Sequence, residues 1–527
     1  MSNPLPLAHV LDLLPALFMT ISMIAGFRSI RLVTLWRIFL WLSILSGFVP
    51  LTLLLLYLSR IIPSEIPPWY GLQQTLAGTW IALLVQWLGV VIGAFSVRYL
   101  RGENGQAGYV AALSGVLAAV HVLLLADQWM LLIVAWSLAG IFLQRLLCFY
   151  EDRPFAVLAA HKKQLADRAA DALLVAAAIL AWWQTGSTAI SDLQKIDTGM
   201  VDSWPIQTAT LLLVTAAIIR TALMPLHGWL IQVMEAPTPV SALLHAGVVN
   251  LGAFVLIRFA PLLNGNSGAR WLLVIAGLFS ATLAGLVMLT RVSIKVRLAW
   301  STLAQMGFML LECGLGLYSL ALLHLMGHSL YKAHSFLESS SVVRSTRLQE
   351  MRGNLRPSLP SQLAAPLISL AIVSVTLAIL SSLLLHADRP WWWTGTIAIA
   401  WAPLIWMVPM RQAMWKGRMW EVGRGILGVM LLTILIDLVH QVPLGVENQP
   451  FGAAGALTFF VLTALYLSLV IIQHRPESIG SLRRWSYAGY YLDEIYTRVA
   501  LWIWPRGWSP HPINRLVSPP TSTKTCP

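Results

Sequence analysis

His324, His328 and Lys332 recur at every fourth residue in the stretch His324-Leu-Met-Gly-His328-Ser-Leu-Tyr-Lys332-Ala-His334-Ser-Phe-Leu-Glu338. On a helix this spacing stacks them along one face, about 6 Å apart along the axis. Water can bridge such a gap. Imidazoles exchange protons near neutral pH, and a lysine whose ammonium is desolvated can release one. The row is therefore a candidate proton relay. Histidines four apart also suit zinc, but Lys332, one turn further on, would repel a cation, so no metal site is expected. A polar face serving only helix packing is the remaining reading. His334 falls off the row and is an accessory candidate.

A second group surrounds a run of prolines. Arg220 lies five residues before Pro225, and Glu235 precedes Pro237 and Pro239. His245 follows in the next apolar run. Prolines remove backbone donors and break helices, and broken helices at membrane depth are tolerated where they line a cavity or are buried in protein. Arg220 and His245 each have an ordinary reading, as a side chain reaching the interface and as a satisfied core residue. Around a broken helix they form a candidate ion path. Lys295 opens Ile294-Lys295-Val-Arg297-Leu-Ala-Trp-Ser301 and reads by position as an interfacial anchor. Arg168 and Asp171, three apart, suit a local ion pair.

These residues must be held by membrane-crossing helices. Of the 527 residues, 57% are hydrophobic and 11% charged, against about a quarter charged in soluble chains. Apolar runs of roughly 17 to 25 residues give about fifteen spans, near 11–27, 34–58, 76–99, 109–126, 129–149, 169–187, 206–224, 240–263, 271–290, 298–316, 319–342, 362–386, 392–410, 425–441 and 452–473. The fold class is all-α integral membrane. The net charge of +13 does not indicate nucleic-acid binding, because the basic residues occupy short loops. Those after odd-numbered spans hold Arg28, Arg98, Lys162, Lys163, Arg291, Arg344 and Arg411 among others. Those after even-numbered spans hold little beyond Arg60, Lys195, Arg270 and Arg389. By the positive-inside rule the N-terminus is outside and the C-terminus cytoplasmic. Residues 1–473 then form one polytopic membrane domain and 474–527 a cytoplasmic tail, whose end at Pro519–Pro527 reads as disordered.

Met1–Asp12 carries no cleavable signal pattern. Cys148, Cys313 and Cys526 are scattered and suit neither a disulfide framework nor zinc. Trp182, Trp183 and Trp391–Trp393 lie at span ends, where amphipathic rings favour the interface. No phosphate-cradling loop, nucleotide fingerprint or nucleophile elbow is present, so movement of a small ion is a better reading than covalent chemistry or cofactor use.

The segments Arg220–His245, with Met224-Pro-Leu-His-Gly-Trp229 and Ala236-Pro-Thr-Pro-Val-Ser-Ala-Leu-Leu-His245, and Lys295–Phe336 resemble the antiporter-like subunits of respiratory complex I and of the multisubunit sodium/proton antiporters. The similarity runs coarsely from about residue 76 to 345. Within that superfamily the sequence is most similar to the DabB family, membrane subunits of two-component inorganic-carbon accumulation systems. It carries Met234–Gly247, Glu312-Cys-Gly-Leu-Gly316, His328–His334 and the short tail with Tyr490-Tyr-Leu-Asp-Glu-Ile-Tyr496.

The resemblance implies two inverted five-helix repeats, roughly 109–263 and 271–410, in a bacterial inner membrane. It implies an ion path through Arg220, His245, Lys295, His324, His328 and Lys332, carrying H+ or Na+. It also implies a peripheral partner, DabA, resembling a zinc β-carbonic anhydrase, which would hydrate CO2 while cation flow made the process directional. The chain departs from the wider pattern at three points. Arg220 stands where the family has lysine, Ser137 follows Trp136 in place of a glutamate, and Leu363–Leu385 lacks a lysine. Glu235 is a candidate substitute for the missing acid. A non-conducting scaffold for the partner and a subunit of a respiratory or sodium/proton antiporter complex are the alternatives.

Overall fold

The computed structural model describes residues 5–28, 30–63, 67–150, 152–195, 198–339, 357–384, 389–407, 415–475, 477 and 480–503. These are helical, with only isolated β-bridges such as Leu72–Ala126 and no strand among them. In chain order the main helices are α1 (Leu5–Gly26), α2 (Leu32–Leu58), α3 (Leu76–Tyr99), α4 (Gln106–Leu125), α5 (Trp129–Leu147), α6 (Pro154–Thr185) and α7 (Trp204–Arg220). The short helices α8 (Gly228–Gln232), α9 (Thr238–Ala246) and α10 (Leu251–Arg258) follow. Then come α11 (Ser267–Met288), α12 (Ile294–Gly314), α13 (Tyr318–Glu338), α14 (Leu359–Leu384), α15 (Trp391–Trp401), α16 (Trp415–His440), α17 (Gly452–His474), α18 (Gly480–Tyr487) and α19 (Leu492–Ile503).

Among the described residues eight helical segments are both long and apolar enough to cross a membrane. α12 and α13, which carry Lys295 and the His324–Lys332 face, are not among them. α12 and α13 have 21 residues each, about 31 Å of helix, but their polar residues lower the hydropathy. A large apolar core unites α1 to α13, and a second is built by α14 to α17 against Val274, Leu278 and Leu311. Close approach of α11 and α12 depends on Gly277 and Gly307. A Cβ on Gly277 would lie 2.6 Å from the Gly307 carbonyl oxygen, so small residues let the backbones touch where lipid supplies no drive for helix association.

Two interruptions shape the centre. α7 ends at Arg220, Ala222 takes a left-handed φ of 57°, and the chain re-enters helix only at Gly228. The Met224 N–H, freed from the helix, donates to Ser280 Oγ of α11 at 3.1 Å. The second lies between α9 and α10, where Gly247 interrupts the helix. There the Asn250 side chain donates to the Ala246 carbonyl at 3.0 Å and to Ser329 Oγ of α13 at 2.8 Å. Buried backbone groups must be satisfied in this way or the break is costly.

Two elements differ from the sequence reading. The span expected from residue 169 is the end of a 32-residue helix, α6, that begins at Pro154. Its first half carries His161, Lys162, Lys163, Asp167 and Arg168, which interrupt the apolar run without interrupting the helix. The span expected at 392–410 stops being α-helical at Trp401 and continues as a 3-10 turn, Ala402–Ile405, where Pro403 cannot prolong the α-helical ladder. Beyond residue 474, α19 buries Tyr496 and Ala500 against the main core. The ends of the spans at 319–342 and 392–410, the residues Arg344, Arg347, Arg352, Arg356 and Arg411, Cys526 and the tail from 504 lie outside the described residues.

Candidate functional site

His324, His328 and Lys332 share one face of α13, which packs against α12 and the broken α9. At one end, His324 Nδ1 lies 2.9 and 3.0 Å from the two Glu312 carboxylate oxygens, and its Nε2 lies 2.7 Å from Gln305 Oε1. Both partners come from α12. The His324 and His328 rings are 6.2 Å apart.

The middle of the row is different. His245 is fully buried, stacked on Phe336 with ring centroids 4.6 Å apart, and neither ring nitrogen has a hydrogen-bond partner. His328 Nε2 is likewise buried and unpartnered. Lys332 is fully buried and donates to Ser301 Oγ at 2.8 Å and to the Leu298 carbonyl at 3.3 Å. No carboxylate pairs with it among the described residues. Lys295, on α12, donates to Thr238 Oγ1 at the start of α9 at 2.9 Å.

Arg220, at the end of α7, points the other way. It pairs with Asp171 of α6, donates to the Trp136 carbonyl at 3.0 Å and lies over the Trp136 ring. Asp171 also accepts from Ser137 Oγ at 2.8 Å and from Arg168 Nη1 at 3.2 Å. Ser137, in the position where an acid is missing, thus braces an acid supplied by the next helix. Glu235 is about half exposed, 4.0 Å from Arg153, so Asp171 and not Glu235 faces Arg220. His334 is exposed and 3.4 Å from Glu338, off the row.

Further buried charges lie beside this pair, and the sequence reading treated them as loop anchors. Lys163 pairs with Asp167 one turn along α6, an i,i+4 spacing that was legible. Lys162 is fully buried; its Nζ lies 2.5 Å from Asp493 Oδ1 of α19 and donates to Thr497 Oγ1 at 2.9 Å and Gln232 Oε1 at 3.2 Å. Gln232 Nε2 donates to the other Asp493 oxygen at 2.9 Å, and Tyr496 OH donates to the Lys162 carbonyl at 2.7 Å. Asp493 is pressed so closely on α8 that a Cβ on Gly228 would sit 1.3 Å from its Oδ1. Glu312, a carboxylate inside an apolar run, was a signal in the sequence that its spacing alone left unused.

The family model for NADH:quinone oxidoreductase/Mrp antiporter transmembrane subunits matches residues 126–384. Over 458 residues the chain is 38% identical to the probable inorganic carbon transporter subunit DabB of Hydrogenovibrio crunogenus, covering 83% of this chain and 85% of that one. It belongs to the DabB family. A second relative, DabB2 of Halothiobacillus neapolitanus, is 36% identical, covering 81% and 79% of the two chains. The fold is shared with the Mrp complex from Dietzia sp., at TM-score 0.59 and 21% identity over 93% of this chain and 59% of that one. It is shared also with an archaeal membrane-bound sulfane sulfur reductase, at TM-score 0.58 and 16% identity, over 94% and 100%. This DabB-family chain is thus an all-helical, multi-pass membrane protein with an Mrp-like fold. The matched segment includes the row and the Arg220–Asp171 pair; Asp493 and all of α1–α4 lie beyond it.

Proposed function

We propose that the chain is the cation-conducting membrane subunit of an inorganic carbon transporter in a bacterial inner membrane, with H+ as the first candidate ion. The observation that carries the reading is the run His324, His328, His245 and Lys332. It places protonatable groups on two facing helices, and its inner members lack counter-charges. Buried ionisable groups are costly in a membrane and are retained where ions or protons pass. His324 with Glu312 forms one approach to the row, and Lys295 with Thr238 the other. The Arg220–Asp171 pair sits at the helix break as a fixed charge, because arginine does not give up its proton.

The names of the relatives support a two-part transporter. In the proposed arrangement a DabA-like, zinc carbonic-anhydrase-like partner hydrates CO2 and cation flow through this subunit makes hydration one-way. Zinc chemistry belongs to that partner. The proposal includes two inverted five-helix repeats at roughly 109–263 and 271–410, about fifteen spans, an external N-terminus and a cytoplasmic segment from residue 474.

Lys332→Ala is expected to abolish inorganic-carbon uptake while the complex still assembles and purifies at normal yield. Wild-type uptake by a well-expressed variant would overturn the relay. The locked Arg220 and the uncharged Ser137 favour a second reading, a membrane scaffold that holds the partner without conducting. Uptake that survives collapse of both the proton and the sodium gradients would favour the scaffold.

A further inference from the structure

Away from the row, α1 to α4 surround a small cavity in which a few polar groups face an otherwise apolar lining. Its volume is about 20 Å3, room for one water or one dehydrated monovalent ion. Asp12 of α1, Gln74 and Thr75 at the entry to α3, Thr79 of α3 and His121 of α4 line it. Gln74 is 2% exposed, and neither its amide oxygen nor its amide nitrogen has a hydrogen-bond partner. Asp12 Oδ2 is also buried without a partner. No lysine or arginine lines the cavity to balance this carboxylate.

The backbone around the cavity is opened as well. Pro15 of α1 and Pro50 of α2 both line it, and each lacks the N–H that would bond the carbonyl four residues earlier, at Leu11 and Ser46. The Tyr57 hydroxyl, within electrostatic reach of Asp12, is unpartnered too. From the cavity a polar thread runs inward. His121 Nε2 lies 2.9 Å from Gln86 Oε1, and Gln86 Nε2 donates to Ser43 Oγ at 2.6 Å and to the Ser43 carbonyl at 2.9 Å.

We infer that this cavity is a binding site for one dehydrated monovalent cation, Na+, held by Asp12, the Gln74 amide oxygen and the neighbouring threonine hydroxyls. Oxygen ligands suit a hard cation. One carboxylate balances one positive charge, and a buried carboxylate without a counter-charge is otherwise expensive. A divalent ion would leave a charge over, and hydrated ions do not fit. The site is independent of the histidine–lysine row.

The test is equilibrium binding of 22Na+ to the purified transporter complex, with choline chloride holding ionic strength constant. Saturable binding of one ion per chain is expected, weakened at least tenfold in Asp12→Asn and in Gln74→Leu and kept in Lys332→Ala. Gln74→Leu removes no charge and nearly conserves volume, so it carries the test if Asp12→Asn fails to assemble. The inference is overturned if the wild-type complex binds no Na+ up to 100-fold above trace, or if Gln74→Leu binds as wild type does. It is equally overturned if the unfolding midpoint follows pH and is indifferent to Na+, which would make the cavity a protonated carboxyl with water. Loss of the site in Lys332→Ala would place the ion on the row instead.

Discussion

The α6–α7 end of the site and the α9–α13 row are both rich in buried charge, but they treat it in opposite ways. At the first, each cation has its acid: Arg220 and Arg168 share Asp171, Lys163 has Asp167 and Lys162 has Asp493. At the second, Lys332 has only Ser301 Oγ and a carbonyl, and His245 has no hydrogen-bond partner for either nitrogen. Paired buried charges can serve architecture alone, since the cost of desolvation is offset locally. Unpaired ones gain nothing comparable from the fold, and a lone ionisable group at membrane depth calls for a functional reason. The contrast separates an end whose buried charges are paired from a middle whose ionisable groups have no counter-charge.

The strongest way to break this contrast is His245→Leu. It keeps an apolar side chain of similar bulk against Phe336 while deleting both ring nitrogens. Uptake in membrane vesicles or cells should be lost with assembly intact, and normal uptake would make the middle as structural as the end. Next comes Asp171→Asn, which strands two arginines. A loss of about 3–5 kcal/mol is expected for breaking a buried pair, read as a lower unfolding midpoint in detergent. The double variant Arg220→Met with Asp171→Leu should recover much of it. Asp493→Leu should cost less, about 1.5–3 kcal/mol for lost charge-assisted hydrogen bonds, since Gln232 and Thr497 still hold Lys162. Faster proteolysis between α17 and α19 would report it, and unaltered proteolysis would show α19 to be held by packing alone. Smallest is His334→Ala, where an exposed i,i+4 pair is removed. Neither uptake nor the midpoint should move measurably.

The row was legible in the sequence because helical periodicity converts a spacing of four into a shared face. The break was legible because prolines act locally. The pairings between distant elements were not. Hydropathy registers the charge of Lys162 but not Asp493, so this buried side chain reads as a loop anchor. Asp171 was visible as a neighbour of Arg168, while its bond to Arg220 depends on how α6 and α7 cross. Glu312 and His324 are twelve residues apart on consecutive helices, and only the turn between α12 and α13 brings them together.

The acid that holds Lys162 lies 331 residues further along the chain. During synthesis α6 enters the membrane long before α19 leaves the ribosome, so Lys162 must wait without its counter-charge while the bundle assembles around it. Docking of Asp493 beside Gly228 is then among the last events of maturation. A chain that stalls or is cut before α19 would carry an exposed defect at the helix break. That makes α19 a natural checkpoint for membrane quality control, since its docking decides whether the charge of Lys162 stays hidden.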